Sequence, residues 1–247
     1  MPNEDNVYFY GKKFILDASQ SICLIFFAML YLGIMISNAV LTGKWIAIGK
    51  YFVFGGAFVS PLLFILSDII AEIFGYSVAK KIIWFSFISQ TIFALIIQIM
   101  LQTPSPSNWH EQHSFSKVLG PVLRIDLSGF FAFMISGMIN IFFITRWKIL
   151  LRGRFFWLRS IGSSTIAEGC YSAIAILMIG LGDLPLSTML QIIAITYAIK
   201  VIYSILLAYP GTLVVNYIRY KFKVDVYETS SGINPFLASQ SSQPEHA

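Results

Sequence analysis

The chain has 247 residues, of which 57% are hydrophobic and only 12% charged, with a mean hydropathy of +0.74. Soluble domains carry roughly 25% charged residues, so most of this chain is excluded from being a water-soluble catalytic domain. The net charge of +5 calls for no nucleic acid, because basic residues beside an anionic inner leaflet account for such an excess.

In chain order, the first 20 residues, "MPNEDNVYFYGKKFILDASQ", are polar and mixed in charge. They lack the basic-then-apolar order of a cleaved secretion signal, so residues 1–19 read as a cytoplasmic segment and the first span as retained. Six apolar runs follow, at 20–41, 50–74, 81–101, 122–145, 160–182 and 187–209. Each is long enough to cross a hydrocarbon layer of about 30 Å as a helix. The expected fold class is therefore an all-α integral membrane protein, with a six-helix transmembrane domain over residues 20–223.

Pro61 removes a backbone donor inside the second run and predicts a kink just before Asp68 and Glu72. Cys23 and Cys170 fall within spans and read as small packing residues rather than a disulfide or metal pair. The loop "QTPSPSNWHEQHSFSKVLGP" is expected on the outside as a partial lid. Its "HEQH" spaces the histidines one residue short of the zinc pattern, and no metal or other cofactor is expected. "AYPGT" at 208–212 predicts an end or bend of the sixth helix, after which "LVVNYIRYKFK" would lie at the inner interface. Residues 224–247 are polar and expected to be disordered.

Six spans put both termini on one side. Twelve basic residues fall on that side and four on the other, Lys44, Lys50, Lys117 and Arg124. The excess predicts cytoplasmic termini.

Ionisable groups inside spans are the functional signal, since a carboxylate at the helix centre costs about 2.5–3.5 kcal/mol on insertion scales. Four are read within the runs: Asp68, Glu72, Glu168 and Lys200. Asp68 and Glu72 share a helix face, and Asp68 lies about 18 Å in from the boundary near Lys80 at roughly 1.5 Å per residue. Glu168 reaches a comparable depth, so the acids can converge, and Lys200 is close enough in depth to pair with one. Asn38, Asn140, Ser172 and Thr196 add neutral hydrogen-bonding groups. The plainer readings are a structural ion pair for the acids with Lys80, Lys81 or Lys200, interhelical glue for Asn38, and an interface anchor for Arg124. Histidines occur only at 110, 113 and 246, so no span pairs a serine with a histidine base and an enzyme is not expected.

"SPLLFILSDIIAEIFGYSVAKKIIW" resembles the vitamin uptake transporter family: a Pro, an Asp seven residues later, a Gly after another seven, then Ala and a basic pair. Weaker similarity runs through "ISNAV", "VLRIDLSGFFAF", "SSTIAEG" and "YAIKVIYSILLAYPG". The resemblance implies a six-helix fold similar to the S-components of energy-coupling-factor transporters, and import of 7-deazaguanine queuosine precursors. Where the family commonly has Asp, this chain has Asn140 and Ser172, and Glu168 sits one turn before Ser172. On that reading Asn38, Asp68, Arg124, Asn140 and Glu168 bind substrate, Asp68 or Glu168 accepting paired N–H donors from the base edge. Glu72 and Lys200 form a gating pair. The expected partners are a modified purine base and the lipid bilayer, with an energy-coupling module or a second copy as candidates. Rival readings are a vitamin-binding S-component that needs a separate ATPase, and a structural membrane protein.

Overall fold

The computed structural model describes residues 16–222 and, beyond them, the short strands β1 (Tyr8–Phe9) and β4 (Val226–Tyr227). The rest of the two tails, including nearly all of the segment expected to be disordered, lies outside the described residues. β1 and β4 pair in parallel, Tyr8 against Val226, which brings the start of the first helix and the finish of the last to the same end of the molecule, here the termini end.

Six helices are long and apolar enough to cross a membrane, as hydropathy predicts. α1 (Ala18–Thr42) opens on a reciprocal cap: the Gln20 N–H donates to Asp17 Oδ1 at 2.7 Å, and the Asp17 N–H donates to Gln20 Oε1 at 3.1 Å. "DASQ" is thus a capping box, satisfying donors that a helix start leaves open. The Gln20 N–H holds the Asp17 carboxyl below the ordinary carboxylate range.

The run from residue 50 is not helical at its start. β2 (Trp45–Ile48) and β3 (Tyr51–Phe54) form an antiparallel hairpin, closed by Gly49–Lys50 with Gly49 at φ 60°. A two-residue turn with glycine at its first position matches strand twist. The hairpin lies at the opposite end from the termini, here the hairpin end. α2 (Gly56–Phe74) then descends, unbroken through Pro61. Gly75, at φ 88°, is the one residue between α2 and α3 (Tyr76–Gln102). A side chain there would be strained, so glycine permits the reversal.

The loop after α3 carries a short helix, α4 (Gln112–Leu119), with no buried residue. α5 (Val122–Leu150) and α6 (Phe156–Gly180) both extend past the expected limits at the termini end. α7 (Leu186–Phe222) corrects a further expectation: it does not end at Pro210 but runs 37 residues as one helix, about 55 Å at 1.5 Å per residue. The missing Pro210 donor is tolerated because one lost hydrogen bond in a long helix is outweighed by the turns on either side.

α2 touches each of the other five spanning helices and buries nearly all its side chains. Its polar residues Ser60, Ser67, Asp68 and Glu72 are consequently held inside the bundle, each at most 2% exposed. The outside is apolar, with Ile22, Phe26, Met29, Leu190 and Leu206 all at least half exposed, the inverse of a soluble protein and the pattern lipid favours.

Candidate functional site

The polar interior is layered from the hairpin end downward. A vestibule of about 470 Å³ lies between the hairpin, α4 and the α6–α7 turn, lined by Trp45, Phe54, Lys117, Arg124, Asp183 and their neighbours. That volume falls within the range of small-molecule sites. Arg124 donates to Asp183 at 2.5 Å and to the Leu181 carbonyl, tying α5 to the α6–α7 turn. It stands at the mouth rather than in the bundle.

Beneath the vestibule, and sharing Thr42, Phe54 and Ile179 with it, is a chamber of about 30 Å³, roughly one water's share of volume. Four helices supply its polar groups: Asn38 from α1, Ser60 from α2, Ser172 from α6, and Thr196 and Lys200 from α7. Asn38 Oδ1, Ser60 Oγ, Ser172 Oγ and Thr196 Oγ1 are all buried without a hydrogen-bond partner. Buried polar atoms rarely go unpaired, so four aimed at one cavity mark a place built to meet something polar. Pro61 adds to this set: lacking N–H, it leaves the Ala57 carbonyl without its helical donor, and Ala57 lines the same chamber. The aromatic wall is Tyr171, whose ring packs edge-on to Phe64 at 5.9 Å and near Phe133 at 6.2 Å.

The backbones of α1 and α2 approach closely here. A Cβ on Gly56 would lie 2.0 Å from Thr42 Oγ1 and 3.0 Å from Asn38 Oδ1, and Thr42 is held by its bond to the Asn38 carbonyl at 2.6 Å. Gly56→Ala should push α1 off α2 and displace the Asn38 oxygen. We expect a stability loss of about 1–3 kcal/mol, the usual cost of overpacking, and weaker ligand binding, read together from ligand-dependent melting curves.

Below the chamber lies a belt around Asp68. Its carboxylate accepts from Asn140 Nδ2, from Ser160 Oγ and, at 3.3 Å, from Ser164 Oγ, joining α2, α5 and α6 through neutral donors. Asp68 is within electrostatic reach of both Glu72 and Glu168, so the acids do converge in depth. Glu168 accepts the Ser204 hydroxyl on both oxygens at 3.1 Å and interacts with Lys200. The Lys200 ammonium sits 4.1 Å from the Tyr171 ring centroid, a cation–π geometry.

The termini end is closed by charge. Arg159 grips Glu72 with both terminal nitrogens, at 2.7 and 2.8 Å, and Arg219 also donates to Glu72. The remaining Arg159 donors reach the carbonyls of Arg154, Ile144 and Gly153, giving its five N–H groups five acceptors. The tight turn carrying two of those carbonyls includes Arg152 and Phe155 in the left-handed region, at φ 49° and 54°; ordinary residues there are strained. Lys148 Nζ donates to the Glu72 backbone carbonyl at 2.5 Å, meeting one of the open carbonyls at the α2 C-terminus.

Two expectations are corrected by this layer. Glu72 pairs with Arg159 and Arg219, not with Lys200, because α6 and α7 extend far enough at the termini end to bring both guanidiniums under α2. Lys148, Arg159 and Arg219, counted as loop cations, instead serve the cluster, with Arg159 fully buried. The four ionisable residues read within spans are also incomplete. Asp126 also lies in the run at 122–145, is fully buried on α5 and accepts from Gln90 Nε2 on α3.

The sequence profile of the family described as putative vitamin uptake transporter matches residues 54–215, from the end of the hairpin through most of α7. A protein named probable queuosine precursor transporter, from Bacillus subtilis (strain 168), is 25% identical over 145 residues, covering 58% of this chain and 63% of that protein. This chain therefore spans less than two thirds of that relative's length. No solved structure matches the chain.

Proposed function

This chain belongs to the vitamin uptake transporter family, and on that premise we propose that it imports a queuosine precursor, a 7-deazaguanine such as preQ0, preQ1 or queuine, across a bacterial inner membrane. The supporting observation is the convergence of four unpartnered polar atoms from four helices on one chamber beneath a vestibule. A purely structural bundle gains nothing from leaving such groups unpaired.

In this reading the hairpin end faces outward and the termini end the cytoplasm. Three of the twelve basic residues on the termini side serve the Glu72 cluster, which leaves nine against four, still an inside excess. Cargo enters past Arg124 and reaches Asn38 in the chamber. Asp68 is held by three neutral donors, two of which a cargo edge with two N–H groups can replace, so its carboxylate becomes the base-edge acceptor as the bundle opens, with Asn140 released to bind the ring carbonyl. Glu168 keeps Lys200 in place. The Glu72 cluster is the inner gate, tying α2 to α5, α6 and α7 until cargo shifts the equilibrium. The S-component-like fold belongs to the same proposal.

Purified protein in liposomes, given a panel of labelled 7-deazaguanines and vitamins, should accumulate a deazaguanine without any added protein. Uptake only after addition of an ATPase module would make it a binding component instead. Neither binding nor uptake of any deazaguanine would overturn the cargo assignment.

A further inference from the structure

One buried acid, Asp126, plays no part in cargo binding or gating. Of the four carboxylates within the spanning helices, Asp68 is held by three donors, Glu72 by two guanidiniums, and Glu168 by Ser204 and Lys200. Asp126, equally buried, accepts from Gln90 Nε2 on one oxygen, and its Oδ2 has no partner. Gln90 Oε1 has none either. Thr91 lies near the carboxylate without a hydrogen bond to Oδ2. Among the described residues no cation faces the pair. α1 carries no charged residue, and Lys80 and Lys81 stand about 15 Å back along α3 at roughly 1.5 Å per residue. Arg124 is tied to Asp183, Lys117 lines the vestibule, and Arg146 and Lys148 are at the far end of α5. The charged groups of α2 and α6, Asp68, Glu72, Arg159 and Glu168, belong to the belt and the cluster below. An ionised carboxylate with neither a cation nor a full set of donors is costly in a dry site and neutralises instead.

We infer that Asp126 and Gln90 form a proton site, and that its proton is taken up together with the cargo; the second half rests on the import reading above. A proton adds to Asp126 Oδ2, the carboxylate becoming a neutral acid. Its O–H donates to Gln90 Oε1 while Gln90 Nε2 goes on donating to Oδ1, so one proton satisfies both orphan oxygens. Gln90 lines a third cavity, of about 30 Å³, with Ile125 and Gly129 flanking Asp126 on α5. Thr42, Ile125 and Ile179 line both this cavity and the vestibule, which places the pair one wall below the hairpin end. Asn38, Thr42, Tyr171 and Ile179 line both this cavity and the chamber. Cargo that widens the chamber therefore moves the wall of the proton site. Where the bundle is open to water the carboxylate ionises, and where it closes over cargo the site dries and keeps a proton.

The test uses purified protein in liposomes with labelled 7-cyano-7-deazaguanine, a neutral member of the proposed cargo class, the membrane potential being clamped by valinomycin and equal potassium. A step of about one pH unit, acidic outside, should concentrate the compound about ten-fold inside, the ratio for one proton per cargo. Without the step, the two sides should reach equal concentration. Asp126→Asn keeps two reciprocal hydrogen bonds to Gln90, an amide replacing the acid, so it should bind the compound and let it equilibrate but never concentrate it. Calorimetric binding in buffers of different ionisation enthalpy needs no variant: at neutral pH, where a wetted carboxylate is ionised, the unaltered protein should take up about one proton per cargo bound. Equilibration without concentration by the unaltered protein would overturn the joint uptake and leave the cargo class standing. So would concentration by Asp126→Asn under the pH step, concentration driven by a sodium step at equal pH, or cargo binding with no proton uptake. Neither binding nor uptake by the unaltered protein would overturn the import reading, and the joint uptake with it.

Discussion

Glu72→Gln is expected to lower the stability of the purified protein by about 3–5 kcal/mol, the cost of leaving buried charge without its counter-ion. The substitution keeps the shape of the side chain and removes only the charge. Arg159, fully buried, would then face Arg219 and Lys148 with carbonyl oxygens as its remaining acceptors. Arg159→Gln should cost less, because Glu72 keeps its bond from Arg219. The double variant Glu72→Gln/Arg159→Gln should melt closer to the unaltered protein than Glu72→Gln alone, since the two changes act on one network. Thermal unfolding in detergent measures all three. A Glu72→Gln protein that melts like the original would mean that the cluster holds nothing together.

Asp68→Asn is expected to act on transport rather than on folding. Its oxygen can still accept from Asn140, and its new amide can donate to Ser160 and Ser164, whose hydroxyls accept as well as donate. The exchange of charge-assisted for neutral hydrogen bonds should cost only about 1–2 kcal/mol. Uptake should fall at least about ten-fold, the equivalent of one lost interaction of 1.4 kcal/mol, because the amide offers one acceptor oxygen where the carboxylate offers two and turns an NH2 donor toward the second N–H. Asp68→Leu is the contrast: it leaves Ser160 without its acceptor, Asn140 Nδ2 with only its 3.4 Å bond to Ser67 and Ser164 with only its 3.5 Å bond to Asn140, at about 1–3 kcal/mol for each donor left unmet, and should fold poorly. Normal uptake by the Asn variant would remove Asp68 from the mechanism.

The spanning helices were legible because lipid imposes length and hydropathy directly. The hairpin was hidden by the same rule: "WIAIGKYFVF" alternates large residues around Gly49–Lys50, a strand signal, but its apolar second half merges with the helix that follows. Hydropathy also ends a span at the first strong charge. Lys148 and Arg159 therefore fell outside the expected spans, and Arg219 fell in the interfacial segment expected after the Pro-Gly break, although each lies within a helix. Asn38, Asp68, Glu168 and Lys200 stood out because their burial is costly enough to need a reason. Ser60, Ser160, Ser164 and Ser204 gave no such signal. A serine in a membrane helix satisfies itself on the preceding turn at little cost, and which serines point inward is decided by packing between helices far apart in sequence.

A cysteine placed in the chamber reads whether cargo occupies it. In a chain carrying Cys23→Ala and Cys170→Ala, Ser172→Cys should react with a small methanethiosulfonate reagent, and saturating 7-cyano-7-deazaguanine should slow that reaction at least about ten-fold. A control cysteine at the lipid-facing Leu190 should be indifferent to the compound. Equal labelling rates at position 172 with and without bound compound would place the cargo elsewhere and contradict the chamber as its site.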